Sequence, residues 1–186
     1  MKKTIFTLLL VWSYCYQSQA QDKFGQTLNL GLGLGGYSGY YSYTGHTMPV
    51  LHVDYEFDVA RNFTLAPFVN FYTFSNSYYW GDNNHPNRYY NYTQTVIPIG
   101  VKGTYYFDEL LNAGANWDFY IAGSLGFAII NSTWDNGYGG NPNYYEKPSS
   151  LFLDLHIGTE YHFSRRIGVF LDLSTGVSTI GLAIHR

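Results

Sequence analysis

Apolar and polar residues alternate along most of this 186-residue chain, and a period of two is the signature of β-strands. Between positions 51 and 58, for example, Leu, Val, Tyr and Phe alternate with His, Asp, Glu and Asp. No segment between such stretches has the 3.6-residue period of a helix. Eight strands are predicted: Leu28–Gly35, Leu51–Asp58, Phe63–Thr73, Thr93–Phe107, Trp117–Ile130, Leu151–Phe163, Ile167–Thr175 and Val177–His185.

The connections between these strands alternate in length. Short turns follow the second, fourth and sixth strands, at Ala60–Asn62, Asp108–Asn116 and Ser164–Arg165. Long connections follow the first, third and fifth strands, at Gly36–Pro49, Phe74–Tyr92 and Asn131–Ser149. Only the short connection around Gly176 departs from this order. The pattern predicts an all-β fold, an eight-stranded antiparallel up-and-down β-barrel that spans a membrane.

A soluble barrel of the lipocalin type would show the same alternation with its polar face outward. Here the less apolar face is rich in small residues such as Gly31, Gly33, Ala122 and Ser124, which suit a narrow interior better than a water-facing surface. We expect the ionisable residues of this face to form a polar network in the lumen. They are His52, Asp54, Glu56, Lys102, Asp154, His156, Glu160 and Asp172.

The opposite, apolar face becomes aromatic near the short turns. Tyr and Trp combine an apolar body with a polar tip and therefore settle at a membrane–water boundary. A soluble core gives no reason to collect aromatic residues at one level. The predicted membrane girdle consists of Tyr55, Phe57, Tyr105, Phe107, Trp117, Phe119, Tyr161 and Phe163.

Composition agrees with a membrane location that uses no spanning helix. The chain has 20 Tyr, 13 Phe and 4 Trp, but only 12% of its residues are charged, about half the ~25% of a soluble domain. No run of 18 apolar residues occurs. The formal net charge of −3 argues against a nucleic-acid partner.

The N-terminus has the features of an export signal. Two Lys follow the initial Met, the apolar run Thr4–Tyr14 comes next, and small residues stand one and three positions before Gln21. We therefore expect residues 1–20 to be a cleaved signal peptide and residues 21–186 to form a single barrel domain. Cys15, the only cysteine, would leave with the signal, so the mature chain has no thiol for catalysis or metal binding.

The signal peptide, eight strands, short turns and aromatic girdle together resemble the small bacterial outer-membrane β-barrels. These include the outer-membrane protein X type and the transmembrane domain of outer-membrane protein A. The resemblance covers residues 21–186 and implies a barrel in the outer membrane, in contact with its lipid and lipopolysaccharide, with both termini periplasmic. It does not specify a function, because unrelated functions share this fold. Many members end in an aromatic residue, whereas this chain ends in Ile184, His185 and Arg186.

Aromatic residues also crowd the predicted long loops, where they are interleaved with Asn. Exposed aromatic clusters can stack on sugars or anchor a protein partner. We therefore expect a non-enzymatic protein, either structural or binding a protein or glycan at the cell surface, with a role as a subunit of a larger complex left open. The candidate binding surface comprises Tyr40, Tyr41, Tyr43, Tyr78, Tyr79, Trp80, Tyr89, Tyr90, Trp134, Tyr144 and Tyr145.

Two other functions stay open on the sequence. A narrow ion or solute channel would use the acid-rich lumen, in which Lys102 and Arg166 are the expected cations. A lipid A-modifying enzyme would use His162 and Ser164, but these fall at a short turn on the wrong side for outer-leaflet lipid. No catalytic or cofactor site is predicted. No metal site is predicted either, because no two His have a spacing typical of metal ligands.

Overall fold

A computed structural model describes residues 26–35, 49–82, 85–111, 113–134 and 151–186. The predicted signal peptide, residues 1–20, lies outside the described residues. The elements in chain order are β1 (Gln26–Gly35), β2 (Val50–Ala60), β3 (Phe63–Asp82), β4 (His85–Tyr106), α1 (Asp108–Leu111), β5 (Trp117–Trp134), β6 (Leu151–His162), β7 (Ile167–Ser174) and β8 (Val177–His185). No helix in the described ranges is long and apolar enough to cross a bilayer.

The eight strands form a closed barrel in which each strand pairs antiparallel with its sequence neighbours. The barrel closes between β1 and β8, which are paired from Thr27–His185 to Gly35–Val177. Closure satisfies the backbone groups that an open sheet edge would expose to lipid. The predicted eight-stranded antiparallel barrel is confirmed.

The two faces of the barrel have opposite polarity. Along β6, Leu151, Leu153 and Leu155 are 50–68% exposed, while Phe152 and Asp154 between them are 2% and 3% exposed. The other strands repeat this pattern, so large apolar side chains cover the outside and most buried polar groups lie inside. This distribution is the reverse of that in a soluble protein and is that of a transmembrane barrel.

The prediction of a long loop at 74–92 is wrong, because this segment continues strands β3 and β4 of the barrel. β3 and β4 are 20 and 22 residues long and pair as far as Asp82 and His85. The segment is rich in Asn and Tyr and lacks apolar alternation, so its sequence pattern favours a loop. Its strands are held instead by cross-strand polar pairs, such as Ser77 Oγ donating to Asn91 Oδ1 at 2.7 Å.

Both β3 and β4 therefore extend beyond the other strands at the end opposite the short turns. The described ladder between β2 and β3 ends at the pair Leu51–Phe71, whereas β3 continues to Asp82. At about 3.3 Å per residue, this continuation is roughly 35 Å long, measured along the strand. β5 follows β4 up to the pair Trp134–Tyr92, four residues past the predicted end of that strand, so roughly 20 Å of β3 and β4 extends beyond every other described strand. We call residues 73–82 and 85–95 the protruding hairpin.

The short turns lie where they were predicted, with one difference. Asn62 closes the β2–β3 turn with a φ of 59°, a left-handed conformation that Asn tolerates better than most residues. The β4–β5 connection contains the one-turn helix α1, which the sequence pattern did not indicate because four residues are too few to show a period. These turns, the start of β1 at Gln26 and the end of β8 at His185 share one end of the barrel, here called the short-turn end.

Glycines on the inner face make room for long side chains from the neighbouring strand. Tyr120 pairs with Gly158, and its ring lies over this glycine so that its hydroxyl donates to Asp172 Oδ2 on β7 at 3.1 Å. A Cβ at position 158 would lie 2.2 Å from the tyrosine ring. The barrel interior is therefore packed by contacts that reach across a whole strand.

The substitution Gly158→Ala should destabilise the barrel by about 1–3 kcal/mol, because the added methyl group displaces the Tyr120 ring from a packed interior. Gly123→Ala is the matched control, since its Cβ would meet only Leu155 Cδ2, at 3.9 Å. Urea unfolding of both variants in detergent micelles, followed by tryptophan fluorescence, measures the difference. Equal stability of the two variants would contradict this account of the packing.

Candidate functional site

The eight predicted lumen residues all lie on the inner face of the barrel. His52, Asp54, Glu56, Lys102, Asp154, Glu160 and Asp172 are buried, and His156 is half-buried. Arg166, expected as a second lumen cation, is instead exposed in the β6–β7 turn. Among the side chains that the structure describes, Lys102 is the only buried Lys or Arg.

Lys102 forms the centre of the network. Its Nζ donates to Asp54 Oδ2 at 2.7 Å and lies 3.9 Å from Asp172 Oδ2. The Asp54 carboxylate also accepts from Asn29 Nδ2 at 2.8 Å and lies 2.9 Å from His52 Nε2. One ammonium group therefore compensates two carboxylates that enter the lumen from β2 and β7.

Glu56 lies next to this centre, on the side of the short-turn end. It accepts hydrogen bonds from the hydroxyl of Tyr106 at 2.6 Å, from the hydroxyl of Thr64 and from Asn29 Nδ2 at 3.3 Å. Tyr106 in turn packs edge-on against Tyr120, with ring centroids 5.6 Å apart. The sequence analysis did not single out Tyr106, Thr64 or Tyr120, although each has the parity of the inner face of its strand.

Asp154 has a different, local role at the far end of the lumen. Its carboxylate accepts from the hydroxyls of Ser174 at 2.9 Å and Thr175 at 2.6 Å. It also accepts from the backbone amides of Gly176 at 2.8 Å and Val177 at 3.1 Å. This single side chain therefore holds together the β7–β8 turn, and its lone pairs are occupied by structural contacts.

Three lumen residues have the hydrogen-bond order of a catalytic triad. Ser124 Oγ lies 2.8 Å from His156 Nε2, and His156 Nδ1 lies 2.7 Å from Asp172 Oδ1. The sequence could not show this set, because its members come from β5, β6 and β7. Ser124 is only 5% exposed, and the internal cavity of the described lumen, about 10 Å³, is lined by other residues. An acyl substrate has no room at this hydroxyl, so the set acts as packing.

The pair considered from the sequence, His162 and Ser164, also lacks the geometry of a nucleophile and its base. Ser164 Oγ accepts from the backbone amides of Arg166 and Ile167 at 3.3 and 3.2 Å and so caps the β6–β7 turn. His162 Nε2 is directed to Asp118 Oδ2, 2.6 Å away.

Towards the protruding hairpin the lumen becomes apolar. A cluster of buried side chains from five strands fills it: Val50, Tyr72, Val96, Ala128 and Val177. We call this cluster the apolar plug. The short-turn end, in contrast, opens into a vestibule of about 1140 Å³ that is lined in part by Asp118, His162 and His185.

The predicted girdle residues lie on the outer face at the short-turn end. Tyr55, Phe57, Tyr105, Trp117 and Phe163 are exposed, and the others are half-buried against one another. Trp117 lies 4.8 Å from Tyr161 and 6.0 Å from Phe119 between ring centroids, so the girdle is a contiguous aromatic surface over β5 and β6.

The eleven aromatic residues of the candidate binding surface are only partly within the described residues. Tyr40, Tyr41, Tyr43, Tyr144 and Tyr145 lie outside the described residues. The backbones of Tyr78, Tyr79, Trp80, Tyr89 and Tyr90 lie on the strands of the protruding hairpin, where Tyr79 pairs with Tyr89 and its side chain is 59% exposed. Trp134 ends β5 and packs on Tyr92, with ring centroids 4.8 Å apart.

No protein-family model and no curated protein sequence matches this chain. Solved structures of small barrels do match it. Neisserial surface protein A is 11% identical with a TM-score of 0.48, covering 87% of this chain and 96% of the other. The outer-membrane protein Ail of Yersinia pestis in a nanodisc is 9% identical with a TM-score of 0.44, covering 86% and 97%. A de novo designed transmembrane β-barrel is 10% identical with a TM-score of 0.44, covering 85% and 93%.

Replacing Lys102 by an uncharged residue should lower the free energy of unfolding. Lys102→Met leaves Asp54 and Asp172 without their counter-charge in a buried site, so we expect a loss of about 3–5 kcal/mol in unfolding free energy. Adding Asp54→Asn should restore part of this loss. Arg165→Met, at an exposed turn position, is the matched control and should change stability little. Urea unfolding measures all three; a neutral Lys102→Met would show that the network does not depend on this charge.

Proposed function

We propose that this chain is an integral protein of a bacterial outer membrane, in which the barrel is a non-enzymatic anchor and the protruding hairpin is a binding surface outside the cell. The observation that carries the proposal is the contrast between the two parts. The barrel interior is filled by its own side chains, whereas β3 and β4 continue roughly 20 Å beyond the last strand that pairs with them.

The placement in the membrane rests on the distribution of side chains. An apolar exterior with an aromatic girdle at the short-turn end matches lipid and its boundary with water. Short turns face the periplasm in outer-membrane barrels, which puts Gln26 and His185 on that side and the hairpin on the other. The exterior would contact lipid tails and, in the outer leaflet, lipopolysaccharide.

The filled lumen makes an anchor a better interpretation than a channel. The apolar plug closes one end, and the network around Lys102 crosses the middle. The cavity of about 10 Å³ between Glu56, Tyr106 and Tyr120 holds about one water molecule. Ions would have to break several buried hydrogen bonds to pass.

In planar bilayers the purified protein should therefore show no steady conductance, while a large porin in the same bilayer conducts. The measurement is single-channel current over a range of voltages. A reproducible open level that survives removal of the protruding hairpin would show that the barrel itself conducts, and would reinstate the channel.

The surface of the hairpin suits a protein or glycan partner. Its described exposed side chains are polar but uncharged, and the hydroxyls of Ser75 and Thr93 lie 3.1 Å apart across the strands. Tyr79 adds an exposed ring that can stack on a sugar or pack against an apolar side chain. A cluster at its base, in which Gln94 Nε2 donates to Tyr92 Oη at 3.0 Å and to Ser132 Oγ at 2.8 Å, joins β4 to β5 and stiffens the projection.

Removing the outer part of the hairpin should abolish binding and leave the barrel folded. In the variant, residues 77–91 are replaced by Asn-Gly, a two-residue turn that continues the Asn76–Tyr92 pair. Binding of the protein in nanodiscs to a panel of extracellular glycoproteins and glycans is measured by surface plasmon resonance. Tyr105→Ala in the girdle is the control. Binding that the deletion leaves unchanged would exclude the hairpin as the binding surface.

A further inference from the structure

Four side chains that can bind a metal converge at the short-turn end of the lumen. Asp118 comes from β5, Glu160 and His162 from β6, and His185 from β8. We call them the mouth cluster. One ligand atom each from Glu160, His162 and His185 can be chosen so that all three lie within 4.8 Å of one another. The proposed binding function does not use these residues, and their spacing in sequence does not indicate a site.

The orientation of each imidazole leaves one nitrogen for a metal. His185 Nδ1 lies 2.8 Å from Thr27 Oγ1, so its Nε2 is directed to Glu160 Oε1, 2.7 Å away. His162 Nε2 lies 2.6 Å from Asp118 Oδ2, so its Nδ1 faces the same Glu160 oxygen at 3.7 Å. Metal-binding histidines characteristically have a hydrogen-bond partner on the second nitrogen, which fixes the ring and its tautomer.

Glu160 reaches this position because the residue beneath it is a glycine. Its side chain extends from β6 across Gly168 on β7 towards His185 on β8. A Cβ at position 168 would lie 2.0 Å from Glu160 Oε1. The carboxylate is thus held between the two imidazoles by the shape of the lumen, and Glu160 itself is only 6% exposed.

The donor set and its access fit zinc. Two imidazoles and a carboxylate are a frequent set of three protein ligands for Zn²⁺, with a further position left for water. Ligand atoms around a tetrahedral zinc are roughly 3.3–3.5 Å apart, so the cluster needs shifts of about 1 Å. The vestibule supplies an entry path. Arg165 and Arg186 also line the vestibule, but both are exposed and neither is ion-paired to Glu160 or Asp118 within the described residues.

We infer that Glu160 Oε1, His162 Nδ1 and His185 Nε2 form a binding site for a divalent transition-metal ion, zinc above all, at the periplasmic mouth of the barrel. Asp118 and Thr27 are positioning residues that hold the two rings. The ion replaces the hydrogen bond between His185 and Glu160 and joins β6 to β8 across the end of β7. It thereby fastens the barrel next to its closing seam, where β8 pairs with β1.

The test uses untagged protein, residues 21–186, refolded in detergent and titrated with ZnCl₂ at neutral pH by calorimetry. We expect one zinc per chain, and loss of this binding in His162→Ala and in His185→Ala. Asp118→Asn should weaken affinity about 10–100-fold without removing a ligand. Nitrogen chemical shifts of the histidine rings should show zinc on Nδ1 of His162 and on Nε2 of His185, a signature that a structural role alone would not produce.

The matched control is the double variant His46→Ala, His85→Ala, which removes two histidines outside the cluster and should bind zinc like the wild type. Gly168→Ala keeps every ligand but displaces Glu160, so it should weaken binding while the heat-modifiable mobility of the folded barrel on gels is retained. The proposal is overturned if the wild type binds no zinc. It is equally overturned if binding survives both single His variants or is lost in the double control.

Discussion

An eight-stranded barrel leaves an interior that its own side chains must fill, and lipid on the outside leaves the inside as the place for polar groups. In the middle of the lumen the polar groups therefore bond mainly to one another, because the cavity there is only about 10 Å³. Lys102 is the group on which this depends, because its ammonium compensates Asp54 at 2.7 Å and faces Asp172 at 3.9 Å. Neighbouring groups donate to the same carboxylates, Asn29 Nδ2 to Asp54 and the Tyr120 hydroxyl to Asp172.

The same confinement explains the glycines of the inner face. Tyr120 lies across Gly158, and Glu160 lies across Gly168, so each long side chain occupies the space that the glycine on the next strand leaves. Such contacts link β5 to β7 and β6 to β8 over an intervening strand. The backbone hydrogen bonds join only neighbouring strands. Each of these side-chain contacts forms only when three successive strands are in the correct register.

The sequence predicted the barrel because alternation is a local property: one strand shows which of its residues share a face. It could not predict which inner residues meet, because that depends on register and closure; His185 and Glu160 are adjacent only in the closed barrel. The parity of β8 does place His185 on the inner face. The protruding hairpin was missed for another reason. Ser75 and Ser77 resemble loop residues, whereas cross-strand partners in β4 decide their conformation.

The two ends of the barrel are held together by different kinds of contact. At the hairpin end, the apolar plug fills the lumen, and the Asp154 carboxylate binds the β7–β8 turn through four donors. A projection of roughly 20 Å acts as a lever on its base, so the contacts at that base resist bending of the hairpin. At the other end, histidine–carboxylate pairs border an open vestibule. A metal ion bound there, as we propose, would replace contacts that are far from the base of the hairpin.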